Sequence, residues 1–447
     1  MQYTMQEILA RACDTKFCLI EQGAVTRTGE IFAQAFPNQK ALLVADENTW
    51  EVAGKAAQAS LCATSIEQDA PFIFSAQHFY AEWQFIEQLE AHVQPKDVII
   101  IAVGSGVIND LCKLVSGRLG RRYMCVGTAA SMDGFTAYGA SITKDGNKQT
   151  FSCPAPYAFV MDYAIAAKAP KELAASGYAD LIAKIPAGAD WLIADRLGVE
   201  AVDDFAWHLL QDNLRESLNA PAAVFQGDLE KTKALCEGLL MSGFAMQAIH
   251  SSRPASGTEH QFSHFWDMEA LSYPDSTHVS HGFKVGIGTL VSTAALEFLL
   301  EKGVAVDAKT AADKWPTWEE MEGHIQHLCA GKPGHLTRCL EESKAKYVTK
   351  EQLEARILLL QEKWPVLREE IREQILPFRQ VYDSLKAVGA PYEPEQICVS
   401  RAHLKETLSF IPYMRSRFTA IDLLLYLGYM DEFSQRLFGK GGIWSRE

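Results

Sequence analysis

The 447-residue chain contains ten cysteines but no CxxC pair and no paired spacing among them. That excludes a zinc ribbon and a disulfide framework, and fits reduced thiols in a cytoplasmic protein. Basic charge is also in short supply, with a formal net charge of −14. A nucleic-acid binder needs a basic patch or stripe, so no nucleic-acid partner is expected. Backbone amides or a metal can still hold an anion locally, which leaves phosphorylated substrates open. The opening MQYTMQEILARACDTKFC has no basic stretch followed by an apolar core, so no signal peptide is expected. Nor does any run approach the roughly 18 apolar residues that span a bilayer, so membrane insertion is not expected. Internal repeats, low-complexity tracts and Ser/Gly linkers are absent too.

What is present is an ordinary globular composition, 48% hydrophobic and 22% charged, in a chain long enough for two or three folding units. Its character changes near residue 165. Before that point, short apolar runs alternate with helical patterns: ALLVAD (41–46), PFIFSA (71–76), DVIIIAVG (97–104) and RYMCVG (122–127). EWQFIEQLEAHV and INDLCKLVSGRL carry helical spacing between them. Alternating strands and helices predict a parallel sheet with crossover helices. A hairpin turning at Asp145-Gly146 and one further strand follow. Beyond 165 the apolar residues recur at helical intervals. The expected architecture is α/β plus all-α. A Rossmann-like domain over 1–165 precedes a helical domain over 166–447, with the active site in the cleft between them.

Two polar turns follow predicted strands. DVIIIAVG runs into Gly104-Ser105-Gly106 and then a helix, where free N–H groups suit a pyrophosphate. The fingerprint is incomplete, because Asn109 stands where a third glycine belongs, and close packing is the plain alternative. After RYMCVG come Thr128 and Ser131, then Met132-Asp133-Gly134. Ligands of open α/β sheets sit beyond the carboxyl ends of strands, so the two turns can grip one ligand. Asp46, Asn48 and Thr49 after the first strand are candidates for its adenosine end, or form a helix cap.

Further on, Asp180 lies among Tyr178, Ala179, Leu181, Ile182 and Ala183, and a buried carboxylate needs a partner. His260 and His264 share a helix face, while His278 and His281 precede a new helix. Two imidazoles and one carboxylate are a common divalent-metal ligand set with room for substrate. Structural histidines bonded to carbonyls are the alternative reading. Asp190 reads as a structural hydrogen-bonding group.

In order along the chain, GSGVIND, TAASMDGFTAYGASI, GYADLIAKIPAGADW, SGTEHQFSH and HGFKVGIGTL resemble the sn-glycerol-1-phosphate dehydrogenases. That family lies within the iron-containing alcohol dehydrogenase and dehydroquinate synthase-like superfamily. The resemblance runs from about residue 40 to 295. It implies that Gly104, Ser105, Gly106, Val107 and Ile108 hold the pyrophosphate of NAD or NADP. Thr128, Ala129, Ala130 and Ser131 would complete the cofactor site beside Asp46 and Thr49. Asp133 would bind substrate hydroxyls, and Asp180, His260 and His281 would ligate one divalent metal, zinc or nickel, with iron serving other branches. His264 would reach the substrate and shuttle a proton, having an ordinary pKa near working pH.

The implied activity is NAD(P)H-linked interconversion of dihydroxyacetone phosphate and sn-glycerol 1-phosphate by a homo-oligomer. Three departures stand out. GSG replaces a frequent GGG-like run, Ala137 stands where a cofactor-contacting serine is common, and the segment Asp307 to Leu376 is longer and more charged than expected. The alternatives are another polyol or sugar-phosphate dehydrogenase, a dehydroquinate synthase-like lyase, or a catalytically silent metabolite-binding protein. Lys184 is the only lysine within the motif tracts around Asp180 and His260, which weakens the lyase reading.

Overall fold

The computed structural model describes residues 3–77, 79–145 and 147–445. Its sheet contains β1 (Phe17–Glu21), β2 (Ala41–Asp46), β3 (Phe72–Phe74), β4 (Ile99–Gly104), β5 (Met124–Gly127) and β8 (Ala158–Asp162). They lie in the order β1-β8-β5-β4-β2-β3, with every pairing parallel. β2 and β4 are continuous aliphatic runs because helices cover both faces of such a sheet. Leu43, Ile101, Val103 and Val126 join one core cluster with Phe32 and Leu61. Each fully buried aliphatic side chain there contributes about 1.5–3 kcal/mol.

The sheet follows the expected strands, trimmed by one or two residues at some ends. β1 was not expected. It is a short edge strand whose five residues are all only partly buried, and it pairs with β8 from Phe17↔Ala158 to Glu21↔Asp162. The hairpin forms as β6 (Ala140–Lys144) and β7 (Asn147–Phe151), with Asp145 in the left-handed region at φ 52°. Gly146, the other half of the expected turn, lies outside the described residues.

The helices that carry the argument are α1 (Trp83–Val93), α2 (Gly106–Arg118), α3 (Lys171–Ile182), α4 (Lys184–Arg196) and α5 (Leu229–Ile249). They continue as α6 (Thr258–Met268), α7 (His281–Lys302), α8 (Trp318–Leu328), α9 (Lys350–Gln374) and α10 (Arg401–Met414). The last strand ends at Asp162, and every later named element among the described residues is helical. The long charged segment after Asp307 is itself a run of helices, including α8 and α9.

Compact units divide the chain differently from a single cut at 165. One comprises Met1–Leu181, Asp204–Pro254 and Ala387–Ala390; the other comprises Ile182–Asp203, Ala255–Lys386 and Pro391–Glu447. The sheet unit therefore claims α5 as well as the strands, because α5 packs on the loops at the sheet's carboxyl edge. Among the described residues, one helix is long and apolar enough on average to cross a membrane. α7 has a mean hydropathy of 1.5 over an 18-residue window, but 89% of that window is buried inside the protein. It is a core helix of the second unit.

Candidate active site

In the sheet unit, β2 and β4 are neighbours although the chain visits β3 between them. Their carboxyl ends flank a topological switch point, the place where α/β sheets bind ligands. At β2, the Asp46 carboxylate accepts the N–H groups of Asn48 (2.8 Å) and Thr49 (2.9 Å). The Thr49 hydroxyl returns a bond from the Asp46 N–H at 3.0 Å. A helix cap thus forms in this stretch, with Asp46 as the capping residue rather than the Asn48 or Thr49 weighed from the sequence.

At β4, Gly104 pairs with Gly127 of β5, and Thr128 donates its N–H to the Gly104 carbonyl at 3.1 Å. Ser105 opens α2 as its N-cap residue without making a side-chain cap bond, so its hydroxyl serves another partner. That partner is the Ser131 hydroxyl, 2.7 Å away. Ile108 is buried, as are Thr128, Ala129, Ala130 and Ser131. Asn109 is fully buried and accepts the Tyr123 hydroxyl at 2.9 Å, which makes it part of the packing rather than of a ligand turn.

The loop after Ser131 is pinned from below. The Lys113 side chain of α2 is buried, and its ammonium donates to the carbonyls of Gly134 (2.8 Å), Ala137 (2.8 Å) and Gly139 (3.1 Å). Asp133 sits at the start of this loop. Its N–H donates to Asp180 Oδ2 at 3.0 Å, and its own Oδ2 accepts the Ser242 hydroxyl of α5 at 2.8 Å. Asp180, in the last turn of α3, is completely buried.

In the second unit, α6 and α7 carry the candidate histidines. α6 begins at Thr258, with Gly257 as its N-cap residue. The N–H groups of a helix's first turn need acceptors. Asp190 of α4 accepts the Thr258 N–H at 2.8 Å and the Ala420 N–H at 2.7 Å, so it is the structural group expected. Glu259 accepts the Gly257 N–H at 2.6 Å and faces His260 Nδ1 at 2.8 Å. Space at 257 is tight, since a Cβ there would lie 2.5 Å from Asp190 Oδ2 and 3.0 Å from the Ala187 Cα. Burial pushes the Glu259 carboxyl up to about 7, against the pull of the Gly257 N–H and the charges of Lys184 and Arg417.

The His260 ring lies 6.3 Å from His264 and 5.3 Å from His281, centroid to centroid. His281 begins α7, and the Ser263 hydroxyl faces its Nδ1 at 3.3 Å. α6 and α7 approach closely at Gly288, where a Cβ would meet the Glu259 carbonyl oxygen at 2.4 Å. One turn beyond the histidines, Lys284 and Asp267 form a buried ion pair across the same two helices. Burial, then the Arg415 charge, pushes the His264 ring well below its ordinary value, so it is neutral at neutral pH. His278 is exposed beside Ser272 and takes no part in the cluster.

Among the described residues, Asp180, His260 and His281 each offer one ligand atom within 4.8 Å of the others. One carboxylate and two imidazoles are a divalent-cation donor set. Both rings meet a side-chain oxygen at Nδ1, a contact of the kind that orients metal-ligating histidines. The residues fit a divalent metal.

Residues 19–170 match the family model described as iron-containing alcohol dehydrogenase. The glycerol-1-phosphate dehydrogenase (NAD(P)+) of Halalkalibacterium halodurans is 32% identical over 254 residues, covering 56% of this chain and 63% of that protein. The match thus spans less than two thirds of that relative's length. Its namesake from Methanothrix thermoacetophila is 31% identical over 269 residues, covering 60% of this chain and 73% of that protein. The chain belongs to the glycerol-1-phosphate dehydrogenase family. Its fold matches the glycerol dehydrogenase structure from Schizosaccharomyces pombe with a TM-score of 0.59 at 17% identity, covering 97% of this chain and 93% of that one.

Within this family member, four contributing residues escaped the sequence reading: Lys113, Ser242, Glu259 and Lys284. Glu259 carried a signal, as an acid beside a candidate ligand in an apolar tract. Ser242 and Lys113 act only through tertiary contacts and gave none.

Proposed function

We propose that this chain is a metal-dependent, NAD(P)H-linked dehydrogenase that interconverts dihydroxyacetone phosphate and sn-glycerol 1-phosphate by hydride transfer. The observation that carries the reading is the convergence of Asp180, His260 and His281, together with the curated names of the relatives. Those three side chains would hold the cation, which when bound supplies Lewis acidity to a substrate carbonyl. The nicotinamide cofactor supplies the hydride. Gly104 to Ile108 and Thr128 to Ser131 would hold it, the first group through the open N–H groups at the start of α2.

Asp133 would bind a substrate hydroxyl, its carboxylate oriented by the Ser242 hydroxyl and its backbone tied to Asp180. His264, half-buried and held below its ordinary value, would bond the substrate oxygen and pass a proton at that atom. Ala137 places no hydroxyl beside the nicotinamide; its carbonyl serves Lys113.

The test is a substrate panel on apoprotein reloaded with zinc, nickel or iron. Dihydroxyacetone phosphate, dihydroxyacetone and related sugar phosphates are each assayed with NADH and NADPH. Oxidation of cofactor with dihydroxyacetone phosphate, and its loss in His260→Ala with NADH binding kept, is the expected result. No oxidation with any phosphorylated ketone would overturn the reading.

A further inference from the structure

We propose that Glu259 is a positioning residue for His260: its carboxylate takes the Nδ1–H of the neighbouring imidazole and fixes Nε2 as the nitrogen that ligates a divalent cation. Consecutive residues on a helix point in different directions, so a side-chain bond between positions 259 and 260 is not the default. It forms here because Glu259 sits in the first turn of α6 and folds back onto the Gly257 N–H, 2.6 Å from Oε1. The same oxygen lies 2.8 Å from His260 Nδ1. A carboxylate at the amino end of a helix is electrostatically favoured, which offsets part of its desolvation.

A capping role alone does not account for Glu259. Asp190 already takes the Thr258 N–H and, with Ala420, knits the start of α6 to its surroundings. Complete burial of a second carboxylate costs free energy unless its oxygens are used. Oε1 is used twice, whereas Oε2 has no hydrogen-bond partner among the described residues. What the second carboxylate adds beyond the cap is its contact with the ring. Its backbone is also held in place, since α7 lies against the Glu259 carbonyl at Gly288. A carboxylate on the distal nitrogen of a ligating histidine fixes the tautomer and raises ligand basicity.

The inference rests on the cation site formed by Asp180, His260 and His281. The experiment therefore measures zinc binding directly, on the full-length protein stripped and reloaded with zinc, for wild type, His260→Ala, Glu259→Gln and Glu259→Ala. Glutamine retains one acceptor oxygen for the Gly257 N–H while it removes the charge and turns the other oxygen into an amide NH2. Zinc affinity, measured by chelator competition, is expected to fall about 10–100-fold in Glu259→Gln and at least as far in Glu259→Ala. The apoprotein Tm of Glu259→Gln should stay at the wild-type value.

Zinc affinity within threefold of wild type in both variants overturns the positioning role while leaving the cation site intact. Equal zinc binding by wild type and His260→Ala, or none by either, overturns the cation site and this inference with it. A second measurement needs no folded Glu259 variant: nitrogen NMR of the histidine-labelled wild-type apoprotein. The His260 resonance, assigned by its loss in His260→Ala, is expected to report the Nδ1–H tautomer. The Nε2–H tautomer would overturn the proposal.

Discussion

The hydroxyls of Ser105 and Ser131 lie 2.7 Å apart and join the turn after β4 to the loop after β5. These are the two stretches proposed to hold the cofactor, so the bond fixes their spacing before any ligand arrives. Replacing either serine by alanine removes a hydrogen bond with a net value of about 0.5–1.5 kcal/mol. The expected outcome is NADH binding weakened by a few-fold to about tenfold, with the double variant little worse than either single one. A fluorescence titration of NADH on the four proteins measures this coupling. Unchanged binding in all of them would separate the two turns from the cofactor.

Lys113 should matter to the same loop from the opposite side. Its ammonium satisfies three carbonyls, and Asp110 lies 4.0 Å away as a partly compensating charge. Lys113→Met fills similar volume but leaves those acceptors buried and unpaired. Destabilisation of about 2–4 kcal/mol is expected on that ground. Chemical denaturation measures the loss, and amide exchange should quicken at the loop around Asp133 more than in the strands. A variant of wild-type stability would show that water replaces the ammonium without cost.

How far the sequence disclosed this arrangement depends on the range of each interaction. β2 and β4 were legible because a doubly covered parallel strand is written as an unbroken aliphatic run. β1 was not, since its five residues are all half-buried at a sheet edge and FCLIE shows neither alternation nor length. His260, His264 and His281 could be picked out by spacing, whereas Asp180 needed only its misfit among apolar neighbours. Lys113 could not, because a lysine on a helix normally reads as solvated, and its three carbonyls arrive from a loop more than twenty positions later. His264 looked like a proton carrier at its ordinary pKa, and only the density of the fold around it removes that charge.

Gly288 sets the spacing of the helices that carry His260 and His281. A Cβ at 288 would lie 2.4 Å from a backbone oxygen, which cannot rotate aside. Gly288→Ala must therefore push α7 away from α6, at a typical overpacking cost of about 1–3 kcal/mol. Gly323, in α8 with nothing near its missing Cβ, is the control. Gly323→Ala should stabilise the protein by about 0.5–1 kcal/mol through helix propensity alone. Opposite shifts in denaturation midpoint are expected, together with weaker zinc retention only in Gly288→Ala. Two shifts of the same sign would mean that α7 has slack at this point.

The far end of α6 offers a pH-dependent contact away from the candidate ligands. Glu269, just past the helix, meets His403 Nε2 of α10 at 2.7 Å and also pairs with Lys332. Its bond to Glu269, opposed by burial, raises the His403 ring above its ordinary 6.5. Burial alone would raise Glu269, but the bonds from His403 and Lys332 hold it below 4.5. For His403, the folded protein binds the proton more tightly than the unfolded chain, so this stabilisation is complete below 6.5 and is lost as pH rises through the raised value. For Glu269 the sense is reversed: the contribution is present above 4.5 and is lost as pH falls through the lowered value. The pair therefore contributes most between those limits. With partial solvent screening, His403→Gln should cost about 0.5–1 kcal/mol more at pH 5.5 than at pH 9. Urea denaturation of both proteins at the two pH values measures that difference, and an equal loss at both would mean that His403 acts by packing and not by charge.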